Sequence, residues 1–305
     1  MLNINLRFGF GLFNQKSKFT TIDLILSLLL LSAVIYTVYK IHIGFSYKWN
    51  WGAIPQYFLR YDAEMKNWVP NILLQGFFTT IRLSIWATIF ATLIGAAMGL
   101  FRVSRSLFRR LIGGTYVELI RNLPPLVIIF IFYFFVGDQI LPLLGVEEFI
   151  RNSSERTQAV FAVFFAPPSL FTAFLSALIT LSIFEGAYIT EIVRAGIQSI
   201  EKGQWEASAA LGFTRWQQMR YVVLPQAVQR ILPPLAGQFI STIKDSAIVS
   251  VISIQELTFQ AMELMSSTYL TFEIWITITV MYLMLTLTCS LAVERLEIYM
   301  RKNSA

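Results

Sequence analysis

The chain has 305 residues but a single cysteine, Cys289, and a single histidine, His42. One thiol excludes an intrachain disulfide and any Cys-x-x-Cys zinc or redox centre, so cysteine usage carries no compartment information. One imidazole leaves no multi-histidine metal cage and no string of histidine bases. Charge is scarce as well: Asp, Glu, Lys and Arg make up 14% of the residues, against about 25% in an ordinary soluble domain. Hydrophobic residues reach 56%, too many for a water-facing surface to cover. Gly-x-x-x-x-Gly-Lys-Ser/Thr does not occur, and the pair Gly-Lys is absent altogether. The chain therefore lacks the loop whose backbone N–H groups cradle a nucleotide phosphate. There is no Gly-x-Ser-x-Gly, no low-complexity stretch and no obvious internal repeat. A net charge of +6 points to nucleic acid only where basic residues gather on a polar face. Here they flank apolar runs.

Those runs are what the chain has in abundance. A helix needs about 20 mostly apolar residues to cross the hydrocarbon core, because only internal hydrogen bonding satisfies its backbone there. Residues 22–39, 71–101, 115–136, 168–192, 225–252 and 272–293 meet that need, which predicts an all-α integral membrane protein with about six transmembrane helices. The first run exceeds a signal-peptide core and no small-x-small cleavage site follows it, so it reads as a retained anchor. With the amino terminus inside, fifteen Lys and Arg fall on the cytoplasmic side and six outside, the bias expected of short inner loops. Both termini are then cytoplasmic. Trp49, Trp51 and Trp68 fall at the outer boundary, where amphipathic rings favour the headgroup level. The expected order is a cytoplasmic stretch at 1–20, an extra helix at 21–40, an outer segment at 41–70, a core domain at 71–297 and a tail at 298–305. A second outer segment, 138–166, carries Glu147, Glu148, Arg151, Glu155 and Arg156 and reads as a solvated cap.

One inner segment is longer than a turn needs. Residues 191–224 include Gln204-Trp205-Glu206-Ala207-Ser208-Ala209-Ala210-Leu211-Gly212, a run of helix formers closed by glycine, the usual residue just past a helix end. This predicts a helix of one to two turns facing the cytoplasm. Its small side chains let another protein surface approach the backbone; a surface helix without a partner fits the spacing equally well.

The same residues resemble a known signature. Glu-Ala-Ala, three residues, Gly, nine residues and hydrophobic-x-Leu-Pro mark the inner-membrane permease subunits of binding-protein-dependent ABC importers. Glu206, Ala207, Gly212, Leu224 and Pro225 match it, Ser208 replaces the second Ala and Val222 the usual Ile. Residues 76–99, the run from Tyr116 to Leu126, Glu191 to Ser199 and Ile243-Lys244-Asp245-Ser246 are similar to the polar-amino-acid branch, the histidine, glutamine and arginine permeases. The resemblance covers roughly residues 70 to 300. It implies a five-helix type I ABC importer core, here with an extra amino-terminal helix, and a permease domain at 71–297 whose coupling loop is 194–224. It implies as partners separate ABC ATPase subunits, a second permease subunit (identical or homologous), a periplasmic substrate-binding protein, an amino acid and the bilayer, with no nucleic acid. The chain itself would bind no cofactor, ATP and Mg sitting on the ATPase. It would not be an enzyme, and it would lie in a bacterial inner membrane. Glu206, Ala207, Ser208, Gly212, Leu224 and Pro225 then form the ATPase-coupling region. The alternatives are a secondary amino-acid transporter or another integral membrane protein without an ATPase partner; the first should show paired repeats with broken helices, and none is visible.

Ionisable residues at membrane depth are costly and usually face the bundle interior or a water-filled cavity. Arg82, Glu118, Arg121, Glu185, Lys244 and Asp245 are so placed. Glu118 with Arg121, and Glu191 with Arg194, have the helical spacing for a pair. An amino acid carries both charge signs, so Glu185 with Arg82 or with Lys244 and Asp245 makes a candidate substrate path. An intramembrane ion-pair network explains the same residues. Glu185 has Gly186 and Ala187 beside it, small residues that leave space for a ligand. Ala91, Gly95 and Gly99 form a small-residue stripe suited to close helix contact.

Overall fold

The computed structural model describes residues 21–44, 47–64 and 66–303. The expected cytoplasmic stretch 1–20, with Arg7, Lys16 and Lys18, and the last two residues of the tail lie outside the described residues. The chain forms two compact units, residues 1–49 and 50–305. The first contains α1 (Thr21–Gly44), apolar on every side through Leu and Ile, the pattern of a helix solvated by lipid.

The second unit starts with two single 3-10 turns, Trp51–Ala53 and Pro55–Tyr57. A hairpin follows, β1 (Leu59–Asp62) and β2 (Asn67–Pro70), antiparallel with Tyr61 opposite Trp68 and Arg60 opposite Val69. These are the only strands among the described residues. The segment is tied to the helices behind it: the Asn50 amide donates to Glu273 Oε1 at 2.6 Å and Asn71 Nδ2 to the Gln56 carbonyl at 2.7 Å.

The helices then run α2 (Ile72–Arg102), α3 (Leu107–Asn122), α4 (Pro125–Phe135), α5 (Leu141–Leu143), α6 (Val146–Arg151), α7 (Glu155–Phe164), α8 (Phe171–Gln198), α9 (Lys202–Ala210), α10 (Arg215–Gln217), α11 (Leu224–Asp245), α12 (Leu257–Thr268) and α13 (Thr271–Asn303). Among the described residues five helical stretches are long and apolar enough to cross a membrane: Ile72–Arg102, Pro125–Leu143, Pro168–Gln198, Arg215–Ile252 and Thr271–Arg295. The sixth expected span falls on α1, whose apolar stretch, Thr21–Thr37, is shorter than these.

Two boundaries differ from the sequence expectation. The span expected at 115–136 is cut at Pro124: Leu123 adopts an extended ψ of 150°, the bias that a following proline imposes. Residues up to Asn122 belong to the separate α3, and the crossing helix begins at Pro125. The span expected to begin after Pro225 starts ten residues earlier, at Arg215. A widened turn over Gln218–Val223 carries the helix into Leu224-Pro225, so the proline, which has no N–H to donate, does not end it. The expected solvated cap at 138–166 is a set of short helices, and it also exposes Leu143, Leu144, Phe149 and Val163.

Packing is centred on α8, which lies against α2, α4, α3 and α11. The most extensive contact is with α2, at the small-residue stripe. A Cβ on Gly95 would stand 2.5 Å from Ile189 Cγ2 and 3.0 Å from the Thr190 backbone nitrogen. One on Gly99 would stand 2.6 Å from Val193 Cγ1. The stripe is thus an internal packing seam. Lipid tails are as apolar as the helix sides, so close van der Waals fit holds the two helices together. A second cluster gathers Leu73, Leu257, Ala261, Ile274 and Ile278 from α2, α12 and α13.

Gly95→Ala should therefore destabilise the protein by about 1–3 kcal/mol, the usual range for overpacking. Gly114→Ala, on α3 with no heavy atom within 4 Å of the added Cβ, should be neutral or stabilising by up to about 1 kcal/mol. Thermal unfolding of the two variants in detergent checks the opposite signs.

Candidate functional site

Two places combine chemistry-bearing residues: the carboxyl end of α8 with α9, and a buried polar cluster between α8 and α11.

At the first, α8 finishes at Gln198 and the chain turns at Glu201 (ψ 140°) into α9. Lys202 and Gly203 form its first turn. Its end is a complete Schellman motif: Gly212 has φ +79°, its amide donates to the Ala209 carbonyl at 2.9 Å, and the Phe213 amide to the Ser208 carbonyl at 3.1 Å. Two residues on, Thr214 and Gln217 form a capping box that opens α10. This pair of end signals sets α9 off as a separate short helix between two long ones.

Ser208 is the one buried residue of α9, and its hydroxyl donates to the Trp205 carbonyl at 3.0 Å. Trp205 packs against the buried cluster that includes Ile197, Ile200 and Val223, and the Arg215 guanidinium lies 5.9 Å from its ring centroid. Ser208 and Trp205 therefore seat the helix. Glu206, Ala207, Ala209, Ala210 and Gly212 face outward, beside a Leu211 that is 76% exposed. Leu224 is half-buried and Pro225 is exposed at the first turn of α11. Gln226 Nε2 donates to Gln204 Oε1 at 3.2 Å, and Arg230 donates to the Ser199 carbonyl.

The base of the loop is held by charge. Glu191 pairs with Arg194 at 2.7 Å, as its spacing predicts, and with Arg102 at the end of α2 at 3.1 Å. Sequence spacing shows the first partner; the second comes from a helix ninety residues upstream and only the packing reveals it. Glu118 and Arg121 do not pair. Glu118 Oε2 accepts from Asn122 at 2.8 Å, and the Arg121 guanidinium sits 5.4 Å from the Tyr188 ring centroid.

Deeper in the bundle, Glu185 of α8 is fully buried. Its Oε2 accepts from Gln238 Nε2 of α11 at 2.7 Å, and its Oε1 has no hydrogen-bond partner. Asp245 places its carboxyl against the same group, and Thr242 stands beside it. Gln238, Thr242 and Asp245 are spaced i, i+4 and i+7, one face of α11. That spacing could have found Gln238 and Thr242 in the sequence, but they were overshadowed there by the charged residues. Lys244 is exposed, about 100° around the helix from Asp245.

Arg82 is elsewhere. Its Nε donates to the Phe78 carbonyl at 3.2 Å and its Nη1 to the Ala162 carbonyl at 2.6 Å. Trp86 Nε1 adds a bond to the Phe164 carbonyl at 2.9 Å. Arg82 thus caps the negative end of α7 and is not brought to Glu185. The space beside Gly186 is also taken: a Cβ there would stand 2.7 Å from the Tyr116 hydroxyl, which donates to the Ile183 carbonyl at 2.6 Å. Gly186 serves this helix contact.

A short exposed helix thus sits between two of the five helical stretches that are long and apolar enough to cross a membrane. Residues 91–302 match the family described as the inner membrane component of binding-protein-dependent transport systems, and the chain belongs to that family. It is 33% identical over 233 residues to the probable glutamine ABC transporter permease protein GlnM of Bacillus subtilis (strain 168), covering 76% of this chain and 95% of that one. It is 34% identical over 240 residues to the glutamate/aspartate import permease protein GltJ of Escherichia coli (strain K12), covering 79% and 90%. Among solved structures it is similar to a chain of an amino acid ABC transporter determined with histidines, with a TM-score of 0.59, 34% identity and coverage of 75% and 94%. The methionine transporter MetNI shares the fold at a TM-score of 0.58 and 19% identity.

Gly212→Val should strain the Schellman turn by about 1–2 kcal/mol, the penalty for a side chain in the left-handed region. Gly212→Asn should be tolerated better, since asparagine adopts that conformation more readily. Faster amide exchange at Phe213 in the valine variant, with less change in the asparagine variant, is the expected readout.

Proposed function

We propose that this chain is the permease subunit of an ATP-driven importer of polar amino acids, coupled to a separate ATPase through α9. The observation that carries this reading is the exposed face of Glu206 and Ala207 on a short helix closed at its carboxyl end by the Schellman turn. Such a helix moves as a unit with the ends of α8 and α11, which flank it. A push on α9 then reaches α8 directly, and through the Glu191–Arg102 pair it reaches α2. The names of the relatives, permeases for glutamine and for glutamate and aspartate, support an amino acid as cargo.

In this reading α9 and both termini face the cytoplasm, and the hairpin and the α6–α7 segment face the periplasm, where a substrate-binding protein delivers the amino acid. The functional assembly contains two permease subunits and two ATPase subunits, and ATP and Mg bind the latter. Glu206, Ala207 and Gly212 make the ATPase contact; Ser208, Leu224 and Pro225 hold the helix in place for it. Glu185 and Asp245 line the substrate path, with Lys244 at its edge, while Arg82 stabilises the outer cap.

Glu206→Lys reverses a charge on the exposed face without touching a buried group. It should abolish co-isolation of the ATPase, or abolish hydrolysis stimulated by binding protein and amino acid, with the size-exclusion profile of the permease unchanged. Normal uptake and normal ATPase retention in this variant would sink the assignment.

A further inference from the structure

At the end of the bundle that carries α9, most arginines are engaged within the chain. Arg102 and Arg194 pair with Glu191, Arg215 and Arg220 lie over Trp205 and Trp216, and Arg230 donates to the Ser199 carbonyl. Arg105, Arg109 and Arg110 differ. All three are exposed, and none lies within ion-pair distance of a carboxylate among the described residues. The sequence supplies no local partner, since no Asp or Glu occurs between Glu64 and Glu118. The side chains around these cations are apolar. Leu107, Phe108, Leu111 and Ile112 open α3 and are all exposed, Phe108 at 72%. At about 100° per residue they share one arc of the helix with Leu119, while the buried Gly113, Val117 and Ile120 face the opposite side. That buried side rests on α2, where a Cβ on Gly113 would stand 3.0 Å from Arg102 Cγ. Beyond the break at Pro124 the exposed apolar surface continues on the crossing helix through Val127 and Ile131. An apolar strip of this kind is covered by acyl chains. It ends at the three arginines, which sets their guanidiniums at the depth of the lipid phosphates, where long cationic side chains reach out of the hydrocarbon.

We infer that Arg105, Arg109 and Arg110, at the start of α3, bind the headgroup of an anionic phospholipid whose acyl chains lie along Phe108 and Leu111. The guanidinium fork takes two phosphate oxygens at once. Three cations with no carboxylate among them favour a headgroup of net negative charge over a zwitterionic one. An acidic protein surface would match the charge but would set polar groups against Phe108 and Leu111; a lipid matches both the charge and the apolar arc. This assignment does not depend on what the chain transports.

The test is electron paramagnetic resonance of the full chain in phosphatidylcholine bilayers doped with spin-labelled phosphatidylglycerol or spin-labelled phosphatidylcholine, which reads the relative association of each lipid with the protein. Phosphatidylglycerol should associate at least about fivefold more strongly. Replacing Arg105, Arg109 and Arg110 together by glutamine should bring the two lipids to within about twofold of one another. Replacing them by lysine, which keeps the charge and loses the fork, should restore part of the preference. Removing the same charge elsewhere, from Arg60 of the hairpin with Arg151 and Arg156 of the α6–α7 segment, should leave it unchanged. Should the triple glutamine variant fail to fold, the three single substitutions decide, each lowering the preference. Equal association of the two lipids with the wild-type chain overturns the site and leaves a solvated basic turn. An equal loss on neutralising Arg60, Arg151 and Arg156 overturns it in favour of net charge alone. Displacement of the phosphatidylglycerol label by inorganic phosphate at equal concentration makes the ligand a free ion and overturns the lipid assignment. Loss of a co-isolating ATPase in the glutamine variant, with the lipid preference intact, assigns the arginines to a protein contact and overturns it too.

Discussion

The close contact of α2 and α8 at Gly95 and Gly99 is the constraint on which the rest of the molecule depends. Between two helices in lipid there is no hydrophobic gain from simple association, so approach distance and shape decide whether they stay together. Glycine at these two positions admits Ile189, Val193 and the Thr190 backbone to distances that any side chain would forbid. With α8 fixed in this way, everything mounted on it is fixed too. Glu185 lies eight residues before Val193, the partner of Gly99, and Glu191 and Arg194 lie near the carboxyl end of α8, where Arg102 of α2 closes the seam with an ion pair.

This arrangement makes α8 a mechanical link. One end carries the polar cluster shared with α11, and the other leads through three residues into α9. The chain then returns through α10 and the widened turn to α11, which faces Glu185 again through Gln238. The short helix α9 and the buried carboxyls are therefore joined by two helical paths. In the function proposed above, a displacement of α9 and a change at Glu185 would share that path.

Buried polar groups follow a consistent logic. Glu256 at the start of α12 accepts from the Thr258 and Phe259 amides, from Tyr282 and from Thr80, so it joins α2, α12 and α13 with its oxygens satisfied. Arg82 is satisfied by carbonyls at the end of α7. Glu185 alone among these three keeps an oxygen without a donor. In a low-dielectric interior a satisfied network rigidifies the helices it joins.

Much of this was legible in the chain itself. Long apolar runs can only be membrane helices, because nothing else satisfies a backbone in lipid, and the Glu206-to-Gly212 stretch announces its helix and its left-handed end through residue chemistry that is local. Pairs on one helix, such as Glu191 with Arg194, follow from the 3.6-residue period. Tertiary packing alone decided the rest. It paired Arg102 with Glu191, sent Arg82 to the end of α7, turned Ser208 inward, filled the space beside Gly186 with Tyr116, and set Asp245 against Glu185 with Gln238 between the helices. Those outcomes depend on which faces of distant helices meet, and a linear period specifies a face without saying what lies opposite it.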